Sequence, residues 1–237
     1  MRGVFLAPVL TVCATLAACT QEAPQEPHMT AGIFLDQDLM RSEPDERTVV
    51  RPVFKDGLDL TQASEGWMPK PYNDVAKLCT IGYGHLLSYE QRTPRHGACD
   101  RSEPKSWWDP GMSKAEGADL LVKDMRLAQL AVASLTTVQL SDGQYAALCD
   151  FVFNVGRTNF ATSTLLKSVN MQDHRDVPYQ FLRWTKAGGR DVKGLKTRRE
   201  AEVKLFFQGL PGSSELTRSG ATPTEDQLID IRAGEAQ

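Results

Sequence analysis

The sequence predicts an α+β fold, mostly α, with a small strand-bearing lobe in front of a larger helical one. Three observations predict it. Tyr145, Leu148, Cys149, Val152 and Phe153 repeat at i, i+3, i+4, i+7 and i+8, the spacing of a helix facing a core. Ser113 stands three residues before Glu116, the capping-box pattern that opens a helix, and Ser141 caps the next. Ahead of these, Thr80-Ile81-Gly82-Tyr83-Gly84-His85 combines strand formers with turn glycines, as a twisted hairpin needs.

Taken in order, residues 20–52 are polar and rich in Pro, Glu and Asp, and read as a linker. A first helix is expected after Asp56 as N-cap, running to about Glu65 with Leu58 and Ala63 inward. Pro69 and Pro71 forbid its continuation, and Tyr72–Leu86 follows as short strands. Ser88–Gly111 is polar and proline-bearing and reads as an insertion loop, with Trp107 and Trp108 as a hydrophobic clasp. A long helix then runs from Ser113 to about Leu135, and the next from Ser141 to Gly156. Ser163 caps a short helix to about Val169. Asp176–Trp184 is expected as another, stopped by Gly188-Gly189, and Leu195–Phe207 as the last. The tail from Leu210 is polar, with one helical turn near Asp226–Ile231. The domain is therefore expected over residues 53–209, between a tether and a tail, with no internal repeat.

With 237 residues, 41% of them hydrophobic, the chain can bury one sizeable core. The net charge of −3 divides into two acidic ends and a mildly basic middle. Arg183, Lys186, Arg190, Lys193, Lys196, Arg198 and Arg199 suit either a polyanion-facing surface or a solvated helix face. No nucleic-acid partner is expected. Arg2 followed by the short apolar Val4–Ala18 reads as an export signal, too short for a comfortable membrane span. It ends Leu16-Ala17-Ala18-Cys19, which resembles the lipobox of bacterial lipoproteins, with Cys19 as the acylated residue. An ordinary cleaved signal and a weakly hydrophobic anchor that later leaves the membrane are the alternatives. All three put the mature protein outside the cytoplasm. Thr20 after Cys19 favours a periplasmic enzyme on the outer membrane of a Gram-negative host.

Cys149 falls in an apolar helical stripe, as a buried thiol would. Cys79 and Cys99 can pair in an oxidising compartment, closing a loop of about twenty residues worth about 3 kcal/mol. No Cys/His spacing of zinc type is present, so neither metal nor cofactor is expected.

Glu65, Asp74 and Thr80 carry the chemistry. Glycoside hydrolysis needs one carboxylic acid to protonate the departing oxygen and a carboxylate to activate water or attack the sugar. Glu65 at a helix C-terminus meets the negative pole of the macrodipole, which favours its protonated form, and partial burial acts the same way. Asp74 in a polar turn stays ionised, and the Thr80 hydroxyl can hold water beside it. By spacing alone, a surface Glu and a turn-capping Asp fit equally well.

Glu65-Gly66, Pro71-Tyr72-Asn73-Asp74 and Thr80–His85 resemble the active-site segment of phage-type lysozymes, glycoside hydrolase family 24. Gln144–Gly156, Ser163-Thr164-Leu165-Leu166, Trp184–Gly189 and Gly194–Glu202 resemble its later blocks, in order, over roughly Phe54–Gly209. The resemblance implies a lysozyme-like fold with a cleft between its lobes. It implies Glu65 as catalytic acid, Asp74 as the carboxylate that directs water and Thr80 as the hydroxyl completing the triad. It further implies an inverting attack on the β-1,4 bond from N-acetylmuramic acid to N-acetylglucosamine in peptidoglycan, by a monomer, with Leu86, Phe153 and Ser163 lining the cleft. For Leu86 and Phe153 core packing is the competing reading. His85 reads as a structural hydrogen-bonding residue. The chain departs from the family in Val75–Cys79, where a Gly usually precedes the strand, and in the Ser88–Gly111 insertion. A lytic transglycosylase and a non-catalytic peptidoglycan-binding lipoprotein are the alternatives; Asp74 and Thr80 argue against the first and Glu65 against the second.

Overall fold

The structure, a computed structural model, describes residues 50–73, 79–87, 99, 111–219 and 221–235. The leader and tether with Cys19, the Asp74 position and the insertion loop apart from Cys99 and Gly111 lie outside the described residues.

Helix α1 (Lys55–Glu65) starts one residue before Asp56. Phe54, whose side chain has no acceptor, occupies the N-cap with its ring packed on the core, and Asp56 falls in the first turn, where its charge suits the helix dipole. The inward positions are Gly57 and Thr61, with Leu58 partly buried, whereas Ala63 is exposed. An added Cβ at Gly57 would sit 2.7 Å from Ala146 Cβ, so this glycine lets α1 lie directly on the central helix. Gly66 then turns the chain into the front lobe with φ +73, a left-handed conformation that glycine adopts without steric cost.

That lobe is a three-stranded antiparallel sheet in the order β1 (Met68–Asn73), β2 (Cys79–Gly82), β3 (His85–Leu86). Thr80 is the hub of its register, paired with Tyr72 on one side and Leu86 on the other. Cys79, Ile81 and Leu87 form a small second core beneath it, with Met112 and Cys99 alongside. Cys79 and Cys99 are joined by a disulfide, their Cα atoms 4.6 Å apart. Cys99 also donates its backbone N–H to Asn73 Oδ1 at 2.6 Å, so the bridge ties two neighbouring strands to the residue that follows them by some twenty positions. Replacing Cys99 by Ser is expected to lower stability by about 3 kcal/mol in a urea titration. Wild type should fall to the same midpoint when reductant is added; identical midpoints with and without reductant would show that the bridge carries no stability.

Helix α2 (Lys114–Leu135) and helix α3 (Asp142–Val155) both open on complete capping boxes, from Ser113 with Glu116 and Ser141 with Gln144. α3 is the axis of the helical lobe. Every residue from Gly143 to Val155 is buried, between α1, α2 and α7 (Lys193–Phe206). Phe151 anchors an aromatic cluster, meeting Phe181 and Trp184 edge-on with ring centroids 5.4 Å away in each case. Two short helices, α4 (Arg157–Thr162) and α5 (Thr164–Asn170), follow Gly156, and α6 (Val177–Leu182) precedes a hairpin of β4 (Lys186–Ala187) and β5 (Arg190–Asp191) turning at Gly188-Gly189.

The C-terminal segment is not a loose polar tail. After α8 (Ser213–Ser219) and a 3-10 turn at Glu225–Gln227, Ile229 and Ile231 are buried at 6% and 1% exposure. Their backbone bonds to Arg183 and Lys186, and Asn159 Nδ2 donates to Ile231 O at 2.9 Å. The Glu235 carboxylate accepts from the Thr164 N–H and hydroxyl at the start of α5 and pairs with Arg183. This strap binds α4, α5, α6 and the β4–β5 hairpin together. Ending the chain at Gly220 is expected to cost about 2–4 kcal/mol, chiefly for two buried isoleucines, with a matching fall in the thermal midpoint. An unchanged midpoint would mean the strap is a passive passenger.

Candidate active site

Glu65 is the last residue of α1, and its side chain is 2% exposed. Across from it, the β2–β3 turn brings Gly84 close enough that an added Cβ would sit 3.4 Å from Glu65 Oε2. The turn needs glycine at 84 for its φ of +86, and the same absence of a side chain leaves room for the carboxyl. Thr80 lies buried on β2, two residues before the turn's first glycine. Asn73 closes the β1 side, paired with Cys79; Asp74 follows it, outside the described residues. Trp67 packs on Tyr83 with centroids 4.8 Å apart, and α2 admits its ring only because Gly117 has no side chain. His85 Nδ1 sits 2.9–3.0 Å from both carboxylate oxygens of Asp124, fastening β3 to α2. This bond is the structural, hydrogen-bonding role expected of His85.

Behind Glu65 lies a buried ionic cluster. Arg198 Nη1 donates to Glu65 Oε1 at 2.6 Å, while its Nε and Nη2 grip Asp150 in a fork at 2.9 and 2.8 Å. Thr61 adds a fourth bond, its hydroxyl donating to Asp150 Oδ1 at 2.6 Å. Arg199 Nη2 donates to Asn154 Oδ1 at 2.8 Å and lies 2.8 Å from Glu202 Oε1, with its guanidinium over the Phe151 ring. Glu202 Oε1 is also 3.7 Å from Arg198 Nε. Arg198 and Arg199 therefore belong to the interior, not to the solvated or polyanion-facing surface that their neighbours in sequence suggested. Charged side chains are buried only when paired, and here the partners come from α1, α3 and α7 itself.

The environment sorts the carboxyls. Burial pushes Glu65 above the usual range; Arg198 opposes this and the negative Asp150 adds to it. The raised value thus comes from desolvation rather than from the helix end alone. For Asp150 burial acts upward too, but the Arg198 fork, a bond with the Glu202 carboxyl and the Thr61 hydroxyl outweigh it and hold the group below its usual range. Glu202 is pushed well up by burial, against Arg199 and with Asp150. Arg199 is lowered to about 10 by burial, against the pull of Glu202. A carboxyl whose hold on its proton is strengthened by burial, at the end of a helix and facing a glycine turn, can act as a general acid.

The other cleft candidates are placed differently. Leu86 is half-buried on β3, opposite Thr80. Phe153 is 3% exposed within the main core. Ser163 is fully buried; its hydroxyl donates to Phe160 O at 2.7 Å and accepts from Leu166 N at 3.0 Å as the N-cap of α5. For Ser163 the helix start consumes the polar group that a sugar would need. Sequence reasoning missed Arg198, Asp150, Thr61 and Glu202. The available signal was Asp150, an acidic residue inside an apolar stripe, together with the Arg198–Glu202 spacing of four.

Among the described residues, no group of three or more His, Cys, Asp or Glu side chains is placed to hold a metal ion.

The phage lysozyme family model matches residues 62–202. An endolysin of Salmonella phage P22 is 32% identical over 155 residues, covering 65% of this chain and 97% of that protein. A SAR-endolysin of bacteriophage PS119 is 36% identical over 161 residues, 68% of this chain and 83% of its own length. The crystal structure of a P22 lysozyme mutant superposes with a TM-score of 0.55 at 28% identity, covering 67% of this chain and 99% of that one. The chain therefore belongs to the phage lysozyme family, as a lysozyme-type glycoside hydrolase with a lysozyme-like fold.

Proposed function

We propose that this chain is an exported muramidase that hydrolyses the β-1,4 bond between N-acetylmuramic acid and N-acetylglucosamine in peptidoglycan, with inversion. The observation that carries the reading is the burial of Glu65, which pushes its carboxyl above the usual range, at a position where it faces the hairpin. Glu65 protonates the glycosidic oxygen as the bond to the anomeric carbon breaks. Asp74 takes a proton from a water that attacks the opposite face, and the Thr80 hydroxyl orients that water. Arg198 stabilises the Glu65 carboxylate that remains after donation. Leu86 is the cleft residue retained from the family resemblance; Phe153 and Ser163 support the cleft from within.

The enzyme works as a monomer on the periplasmic side, reached through the Val4–Ala18 signal and held by an acylated Cys19. The second reading of the leader is a weakly hydrophobic anchor that later leaves the membrane, which endolysins among the relatives favour. The mass of the mature N-terminus separates the two.

The enzymatic reading is tested by incubating residues 20–237 with purified peptidoglycan and weighing the fragments. Muramic acid with a free reducing end is expected. Anhydro-muramic products would instead establish a transglycosylase, and tight binding with no products a non-catalytic binder.

A further inference from the structure

We propose that Glu202 is a further positioning residue of this enzyme: as the third carboxyl in a closed cluster with two guanidinium groups, it obliges the cluster to retain one proton and so keeps Glu65 available as the acid. The proposal rests on the reading of Glu65 as proton donor.

The geometry is as follows from the contacts of one arginine. Arg198 joins all three carboxyls, with Glu65 at 2.6 Å, Asp150 at 2.8 and 2.9 Å and Glu202 at 3.7 Å. Glu202 also lies 2.8 Å from Arg199. The five side chains are between 0% and 2% exposed. The charged groups facing Glu202 are Arg198 and Arg199 on its own helix and Asp150 from α3, with Glu65 of α1 reached through Arg198. Helix α6, which also packs on α7, contributes no charged side chain.

A buried cluster with a net charge is costly, so its neutral form prevails. Two guanidiniums neutralise two carboxylates. The third carboxyl must hold a proton. Asp150 does not hold it, since it accepts both arms of the Arg198 fork and the Thr61 hydroxyl. The proton is left to Glu65 and Glu202, which therefore titrate as a coupled pair. Burial holds both above the usual carboxylate range, Glu202 the further, because a bond with Asp150 adds to its burial while Arg198 opposes the rise of Glu65. Without the Glu202 carboxyl, Glu65 and Asp150 would balance the two arginines as anions. Protonating Glu65 would then leave a buried positive charge, and Glu65 would give up its proton at lower pH.

The alkaline limb of the pH–rate profile reports loss of the acid's proton. Peptidoglycan hydrolysis by Glu202→Gln is expected to lose its alkaline limb about one pH unit or more below wild type. Glu202→Asp should restore the limb. Asn154→Asp, which places a further carboxyl on Arg199, should move it the other way, and this variant decides the matter if Glu202→Gln does not fold. A folded Glu202→Gln enzyme with an unmoved limb overturns the proposal, as does an unmoved limb in Asn154→Asp. Glu65→Gln run in parallel separates the two ideas. If it is inactive while Glu202→Gln keeps the wild-type limb, only the role of Glu202 falls. If it stays active, the acid assignment itself falls.

Discussion

Glu65→Gln is expected to reduce peptidoglycan hydrolysis by a factor of about 10²–10⁴ or more while the protein stays folded, because general acid catalysis is worth about that much. The amide matches the carboxyl in shape, and its oxygen can still accept from Arg198 Nη1, now 2.6 Å from Glu65 Oε1. What it lacks is a transferable proton. The loss should appear in kcat, with KM little changed, since the change acts on bond breaking rather than on sugar contacts. Stability should move by about 1 kcal/mol at most: the variant gives up one charge-assisted bond but is spared the burial of an ionisable group. Turnover within a factor of about three of wild type, in a variant whose far-UV spectrum is native, would remove Glu65 from the mechanism.

Arg198→Met should unfold far more easily than wild type, by about 3–5 kcal/mol in urea. Methionine fills much of the same volume, so the cost is not chiefly a cavity. It arises because Asp150 loses three hydrogen bonds from two nitrogens, both arms of the fork and the backbone contact, while Glu65 and Glu202 lose their common partner. As a control, Arg190→Met on the exposed β5 strand should change stability by no more than about 0.5 kcal/mol. The pH dependence follows from Asp150. Its folded pKa lies below the ordinary value of about 3.9, so its contribution is complete above that pH and is lost as pH falls through the folded value. The gap between wild type and Arg198→Met should therefore be wide at neutral pH and narrow below about pH 4. A gap of under 1 kcal/mol at pH 7 would mean that the cluster does not hold α1, α3 and α7 together.

Elements whose signals are local were legible. α2 and α3 begin at the serines expected to cap them, and α3 is buried on every side rather than along its apolar stripe alone. α4 was not legible: six residues with Phe160 alone buried hold too little of a period to recognise, and its start depends on Gly156 ending the helix before it. The β4–β5 hairpin read only as a helix stop, because two-residue strands carry no alternation. The tail read as polar because its composition is polar; Ile229 and Ile231 have no meaning until Arg183 and Lys186 offer them backbone bonds. At the site, Ser163 illustrates the converse case. Its role in starting α5 was visible in the sequence, and that same role, once the helix is packed, buries its hydroxyl.

The sequence by itself determined the residue types of the chemistry, the order of the blocks that place the chain in its family, and the glycines and serines that shape the turns and helix starts. These depend on neighbours within a few positions, where conformational preference acts. Only the tertiary structure decided the electrostatics of the acid. Arg198 and Arg199 lie in a run of basic residues that looks solvated, since an unpaired charge is too costly to bury. Arg198 is buried against partners 133 and 48 residues away, Glu65 and Asp150, and Arg199 against Asn154, 45 residues away, with Glu202 beside it on α7. No local pattern carries that information, because the desolvation of a charge and its compensation are settled only when α1, α3 and α7 meet.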